Sequence, residues 1–572
     1  MRKIAVLFLL FLFTVPSAYC DDIILSRDIK PGMKGFGLTV FQGTEPERFE
    51  VEVIDVLKRA MPKQDLILIK CSGHNLEKTR VIAGMSGSPV YIEGKLAGAV
   101  AYAWTFSQEP IAGVTPIENM LAELDRPDKR TGWMPETPGG NSGSSRFQYC
   151  KSPVILSGFT SGAADYFQEH FSRFNLVPVQ AGGVEEAGGQ EITVKPGAVI
   201  GVPLVRGDWN ATVIGTITYV DKDRILAFGH PFFEGGRLEM PITTGKVHTV
   251  LSSAELSFKF ASPVREVGVL LQDHMSCTSG RTGQTAKMIP LQISVENLQD
   301  KTSEKYKVEI ANNQYFTPNL LQASVMNALL ASQPSSEDTM LDFQLAIQLN
   351  KNRSLKVSDK FFLMSGVVSP MSTMSVLING LISPLGALWT NSFEDVKIES
   401  VDVKMSVLPK RSVARITALN FESSELEPGV KAKLLVTLQP FNLQETVIPV
   451  EFDVPDEMAG KILTFNVGGG DQFGPDAAPP ASLDDLIRII ESLYRATDLV
   501  VEYKTPAAGV KYRGENLKRL PMSAVAVFNA QNATGTQSAP DLIRVKNETR
   551  WVIYGPGQSI SIRVKEKIGG DK

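Results

Sequence analysis

The stretch "VIAGMSGSPVYIEGKLAGAVAYAW", residues 81–104, sets Ser86 in a Gly-x-Ser-Gly-x-Pro run. A serine hydroxyl is a poor nucleophile until a base takes its proton, and the tetrahedral oxyanion that follows needs preorganised donors. Glycines at 84 and 87 permit a tight turn that presents the Ser86 hydroxyl, and the amides of Gly84 and Ser86 can then point at one oxyanion. Ser88 only fills this turn. Pro89 stiffens the exit into a strand, and "VYIEGKLAGAVAYAW" predicts a hairpin turning at Glu93, Gly94 and Lys95. Six such residues taken alone are an ordinary Gly/Ser-rich turn. The continuation through Leu-x-Gly, a small apolar strand and Trp104 is what points to chemistry.

The base must come from only five histidines. His170, in "YFQEHFSRF", falls in an aromatic-rich helical stretch and reads as packing or surface. His248, in "GKVHTV", reads as mid-strand and structural. His74, in "CSGHN", lies on a loop ahead of the serine, and His274 follows Asp273. His230 differs from these. It ends the apolar run "RILAFGH" ahead of Pro231, where a strand gives way to a turn and a barrel presents an imidazole to a cleft. It is the leading candidate base.

Elements that would position these groups follow from periodicity. Residues 22–126 alternate short β-rich runs with glycine turns, the rhythm of a small antiparallel barrel or half-barrel. The helical "TPIENMLAEL" follows, with Thr115 as its expected cap. Residues 127–175 begin with a Pro/Gly/Ser-rich linker, 127–150, and continue into a helical segment. A second β-rich block runs over 176–300 and carries His230. Residues 301–394 are mixed, with a helix expected to open at Thr317 and Pro318. Strand spacing over 395–470 predicts an immunoglobulin-like β-sandwich. Residues 471–572 supply an amphipathic helix, capped by Ser482 with Asp485, and closing strands.

At 572 residues the chain is too long for one core. A net charge of −4 gives no sign of nucleic-acid binding. Residues 1–20, "MRKIAVLFLLFLFTVPSAYC", have the basic, apolar and small-residue grammar of a secretory signal, with cleavage expected before Asp21. No later run is long and apolar enough to span a bilayer. Of four cysteines, Cys71, Cys150 and Cys277 would remain, so at most one internal disulfide can form. With no C-x-x-C and no H-E-x-x-H, no metal site and no cofactor is expected.

The segment from Gly84 to Trp104 is similar to the nucleophile segment of chymotrypsin-like peptidases. Together with "IAGVTPIENML" and "GTITYVDKDRILAFGHPF", it resembles the two catalytic segments of the SpoIVB serine peptidase family, over roughly residues 28–125 and 195–300. The resemblance implies a mainly β protein with a chymotrypsin-like double β-barrel. Ser86 would be nucleophile, His230 general base, and the Gly84 and Ser86 amides the oxyanion hole. The two segments stand in swapped order, which geometry permits because triads recur in several chain orders. The family's acid falls on Cys71, beside Ser72, and neither is a carboxylate; Asp273 and Asp65 are the substitutes. Met85 stands where zymogens of the chymotrypsin type use an aspartate, so activation by a new N-terminal ammonium is not expected.

The expectation is therefore an exported serine endopeptidase of the bacterial cell envelope, periplasmic or extracellular. It would act on a protein or peptide substrate and could hold a cell-envelope protein partner. A non-catalytic secreted binding or scaffold protein on a degenerate peptidase fold is the competing reading, favoured by the absent acid and the large β-rich remainder; a non-peptidase esterase is the third.

Overall fold

The computed structural model describes residues 22–104, 107–124, 148–181, 192–232, 236–332, 338–364, 384–475, 477–512, 515–517, 520–530 and 537–567. The expected signal segment and residues 127–147 of the expected linker lie outside them. The alternating apolar runs form strands, and their pairing closes two rings.

The first ring contains β1 (Lys34–Thr39), β2 (Glu47–Met61), β3 (Gln64–Ser72), β4 (Pro89–Ile92), β5 (Lys95–Ala103) and β6 (Ile111–Pro116). Its order is β4-β1-β2-β3-β6-β5, and β5 pairs back onto β4, giving a closed six-stranded barrel. Every pairing is antiparallel. Closure leaves no unpaired edge within the ring. Alternate residues such as Val51, Val53, Ile67, Ile69, Val90 and Val114 fill the interior. The β4–β5 hairpin turns at Glu93 and Gly94, both left-handed at φ 51 and 80, as a two-residue hairpin of matching twist requires. Strand β7 (Gln148–Tyr149) pairs with Tyr102 and Ala103, the end of β5 that runs on beyond its pairing with β4.

Thr115 does not cap the helix Ile117–Leu124. It lies within β6, and its hydroxyl donates to the Gly229 carbonyl at 2.7 Å. A threonine ahead of a helix satisfies the capping pattern equally well when tertiary contact claims its hydroxyl.

After β8 (Ser152–Ser157) and β9 (Leu176–Gln180) comes the second ring. Its strands are β10 (Val199–Gly207), β11 (Asn210–Asp221), β12 (Arg224–Ala227), β13 (Gly236–Leu251), β14 (Phe258–His274) and β15 (Cys277–Thr282). The path β10-β13-β14-β15-β12-β11 returns to β10 through the β10–β11 pairing. All six pairings are antiparallel. The sheet continues from β10 through β17 (Thr302–Ile310) and β16 (Ile289–Asn297) to β20 (Ile398–Leu408), β18 (Thr339–Leu349) and β19 (Arg353–Leu363). Helices Ser161–Phe171 and Thr317–Ser332 pack against it, sharing its core through Phe167, Phe171, Leu321 and Val325.

Two further sheets enclose a separate C-terminal core. One has the order β24-β23-β21-β29, from β21 (Val413–Phe421), β23 (Lys431–Pro440), β24 (Thr446–Asp453) and β29 (Val552–Ile553). The other contains β22 (Glu425–Leu426), β25 (Ile462–Gly469), β26 (Asp498–Tyr512), β27 (Glu515–Leu517), β28 (Gln537–Glu548) and β30 (Gln558–Val564). The division expected at 395–470 differs from this pairing. Strand β20 belongs to the large sheet, parallel to β16, while β26, β28 and β30 from beyond residue 470 complete the C-terminal sheets. Alternation identifies a strand but not the sheet that receives it. The helix Leu483–Glu491 is capped as expected, Ser482 Oγ accepting from the Asp485 amide at 3.1 Å.

Candidate active site

Ser86 sits on the loop between β3 and β4, wedged between the two rings. Gly84 and Gly87 are both left-handed, φ 96 and 91. At Gly87 a Cβ would lie 2.0 Å from the Thr216 carbonyl oxygen and 2.5 Å from the Phe228 nitrogen, so no other residue fits. The "GTIT" stretch of β11 holds this loop. The Thr216 amide donates to the Ser86 carbonyl at 2.9 Å and the Thr216 hydroxyl to the Gly84 carbonyl at 2.9 Å. Two residues on, and therefore on the same strand face, the Thr218 hydroxyl donates to the Gly87 carbonyl at 2.7 Å.

His230 follows β12, after Phe228 and Gly229 at φ 66 and 65. A left-handed bulky residue such as Phe228 is rare and costly, and it turns the chain sharply here. The imidazole is 2 % exposed. Its Nδ1 lies 2.8 Å from the Pro231 carbonyl, which can only accept, so Nδ1 carries the hydrogen and Nε2 the lone pair. Nε2 is buried without a hydrogen-bond partner. Burial pushes the His230 pKa down to about 4, outweighing the Pro231 and Cys150 backbone groups that favour the charged form. At neutral pH this imidazole is an uncharged base.

One short segment links the two groups. Tyr149 stacks on the His230 ring at 5.2 Å, and the Cys150 backbone lies near the same ring. Next, the Lys151 carbonyl accepts from the Gly84 amide at 3.3 Å, and the Ser152 hydroxyl meets the Ser86 hydroxyl at 3.4 Å. Residues 149–152 thus lie across both candidates, and Ser86 is fully buried beneath them. Ser86 Oγ and His230 Nε2 are not hydrogen-bonded to each other. Of the two expected oxyanion donors, the Gly84 amide is engaged by Lys151, whereas the Ser86 amide has no acceptor among the described residues. Alongside, a narrow cleft is lined by Ala83, Trp104, Tyr149, Cys150, Lys151 and Ser257.

The two proposed acids are placed differently. Asp273, fully buried on β14, accepts from the Phe232 amide at 2.8 Å and so braces the turn just after His230. It makes no hydrogen bond to the ring, whose Nδ1 pairs with the Pro231 carbonyl. Asp65 closes the β2–β3 hairpin, accepting from the Arg59 amide at 2.9 Å and from Lys58 Nζ at 3.0 Å. The Arg59 hydrogen bond, more than Lys58, holds its carboxyl below the usual range. Cys71 lies in the apolar core of the first ring, where burial pushes its thiol up to about 12. The three cysteines among the described residues, Cys71, Cys150 and Cys277, are buried free thiols.

The remaining histidines have local partners. His74 stacks on Phe41 at 4.3 Å, His170 Nδ1 bonds the Tyr166 carbonyl at 3.0 Å, and His248 Nε2 bonds Ser262 Oγ at 2.8 Å. His274 Nε2 lies 4.0 Å from a Glu123 carboxylate oxygen. Among the described residues no cluster of His, Cys, Asp or Glu could hold a metal ion.

Residues 17–121 match the SpoIVB peptidase S55 family. The match supports a serine peptidase in general. It contains the whole first ring with Ser86 and ends before β11, β12 and His230. No curated protein and no solved structure matches the chain. No helix among the described residues is long and apolar enough to cross a membrane.

Ser88 fills the turn, and its buried hydroxyl has no hydrogen-bond partner. Removing an unsatisfied buried hydroxyl relieves a desolvation cost. We expect Ser88→Ala to leave stability unchanged or raise it by up to about 1 kcal/mol. Urea unfolding tests this; a loss of stability would show that the hydroxyl has a partner in solution. Nothing in the local sequence marks Ser152 or Lys259, although both touch the serine loop.

Proposed function

We propose that the chain is an exported serine endopeptidase. Ser86 attacks the substrate carbonyl, and His230 Nε2 takes its proton and returns it to the leaving amine. Water then hydrolyses the acyl-enzyme. The observation that carries this reading is the His230 tautomer: Pro231 fixes the hydrogen on Nδ1, leaving a basic, unpartnered Nε2 in the buried site that residues 149–152 share with Ser86. A backbone carbonyl here does the orienting work that a carboxylate does in a triad, which removes the need for an acid at Cys71. The two six-stranded rings serve as the paired barrels of a chymotrypsin-like enzyme, with the serine ring first in the chain. The covered site is the resting form, and residues 149–152 lie where a substrate strand would bind. The test is hydrolysis of fluorescein-labelled casein by the full chain and by Ser86→Ala. Wild-type turnover that the variant lacks is expected; equal turnover would reject the reading.

Two observations favour the competing reading of a non-catalytic binding protein on the same barrels. Ser86 is bonded to Ser152 rather than to a base, and no carboxylate among the described residues is hydrogen-bonded to His230. That reading predicts no hydrolysis from either chain.

Export rests on the basic, apolar and small-residue pattern of residues 1–20. N-terminal sequencing of the protein recovered outside the cytoplasm is expected to begin at Asp21. A chain that retains Met1 would contradict it.

The neutral His230 also sets a pH dependence. Its folded pKa, about 4, lies below the ordinary 6.5, so the unfolded chain binds the extra proton first. Its contribution to stability is present above pH 6.5 and is lost as pH falls toward 4. By pH 4.5 that loss reaches roughly 2.5 kcal/mol. Urea unfolding at pH 7.5 and 4.5 should show wild type losing that much more than His230→Asn. Equal losses would mean that the ring is protonated, or solvated, in the folded chain.

A further inference from the structure

Lys259 enters β14 between Phe258 and Phe260, yet it faces inward and is fully buried. Its stem runs under the serine loop: a Cβ on Gly84 would lie 3.3 Å from its Cδ and 3.4 Å from its Cγ. Its Nζ donates to Thr39 Oγ1 at the end of β1, at 2.7 Å, and approaches Thr216 Oγ1 on β11 at 3.3 Å. Thr216 Oγ1 in turn donates to the Gly84 carbonyl at 2.9 Å. The Lys259 backbone is tied to the same loop, its amide donating to the Ala83 carbonyl at 3.1 Å.

A lone buried ammonium is among the most expensive groups to place inside a protein, and replacement by an apolar side chain of similar volume is commonly neutral or stabilising. Lys259 has no carboxylate partner among the described residues, so stability of the ion pair does not explain it. What distinguishes its place is the serine loop. We propose that Lys259 is a positioning residue of the Ser86 site, clamping the two rings together and fixing, through Thr216, the carbonyl that opens the nucleophile turn. This rests on the serine reading above.

The protonation state of Lys259 decides what the clamp does. As an ammonium it can donate to both threonine oxygens, which commits the Thr216 hydrogen to Gly84. As a neutral amine its lone pair competes for a threonine hydrogen, and the tie to Gly84 loosens. Burial pushes the Lys259 pKa down to about 7, and it is the one cause of the shift. The groups that face it are Thr39 from β1, Thr216 from β11 and Gly84 from the serine loop, with Val250 opposite it in β13, and none of these ionises. The loop is therefore held below about pH 7 and released above it, while His230 is deprotonated above about pH 4. Reactivity of Ser86 should rise through the lower value and fall through the upper one.

The experiment measures the rate at which a fluorophosphonate probe labels Ser86 in the full chain between pH 3.5 and 9, alongside thermal unfolding. Wild type should show a rate that falls as pH rises through about 7. Lys259→Met should unfold at the same or a higher temperature, label at least tenfold more slowly at pH 6, and lack the limb near 7. A Lys259→Met chain labelled like wild type at every pH would overturn the proposal while leaving the peptidase reading intact. If labelling declines only in step with lost stability, Lys259 is structural and the proposal is also overturned. Thr216→Val retains the lysine but breaks its link to Gly84, so it decides the matter should Lys259→Met fail to fold. A tenfold slower rate without the limb near 7 supports the proposal, and an unchanged profile overturns it. A wild-type chain unlabelled at every pH would instead reject the serine reading, and this proposal with it.

Discussion

Replacing Ser86 or His230 by Ala is expected to remove nearly all hydrolysis, a loss on the order of 10⁴ to 10⁶-fold in rate. The two residues act on one proton, so the double variant should be little worse than either single one. Additive losses would contradict a shared proton transfer. Asp273→Asn provides the informative comparison. Its carboxylate braces the Phe232 amide rather than the imidazole, so its effect must pass through the placement of the His230 turn. An acid that oriented the ring directly would cost about 10⁴-fold on changing to Asn. The Pro231 carbonyl performs that task here, and a loss of at most about a hundredfold is expected, measured as kcat on labelled casein. Asp65→Asn should be silent in the same assay, because Asp65 is committed to its own hairpin.

Gly87→Ala is expected to cost about 3–5 kcal/mol of stability and to separate the serine loop from β11. The added Cβ meets backbone atoms of Thr216 and Phe228 at 2.0 and 2.5 Å, and neither can move without breaking the Thr216 and Thr218 bonds to the loop. The control is Gly94→Ala in the β4–β5 turn. Its φ of 80 imposes a similar left-handed strain, but nothing lies within 4 Å of its Cβ, so a loss of about 1 kcal/mol is expected. Urea unfolding of both variants separates docking from local strain. Equal losses would mean that the rings do not meet at Gly87 in solution.

Strands and turns of the first barrel were legible because glycine spacing and strict alternation act locally. The β4–β5 hairpin and the position of His230 after an apolar strand both follow from a few adjacent residues. Closure of each ring was not legible in the same way, since it depends on β4 meeting β5 and β10 meeting β11 in the right register. Membership of β20 in the large sheet shows the same limit, because its partner β16 lies about a hundred residues away. At the site, Ser86 and His230 stand out by residue type, and "GTIT" belongs to the histidine segment of the resemblance without showing its role. Thr216 and Thr218 gain that role only when the serine loop packs against them. Lys259 was illegible for a physical reason. Alternation with Phe258 and Phe260 suggests a lysine facing water, and only the docking of the first ring reverses the face.

Labelling by a fluorophosphonate, mapped by peptide mass analysis, tests most directly whether Ser86 is a nucleophile served by His230. The wild-type chain should carry one adduct, on Ser86, and the His230→Ala chain should label slower by a thousandfold or more while remaining folded. An unmodified Ser86 in the wild-type chain, or equal labelling without the imidazole, would contradict the catalytic assignment.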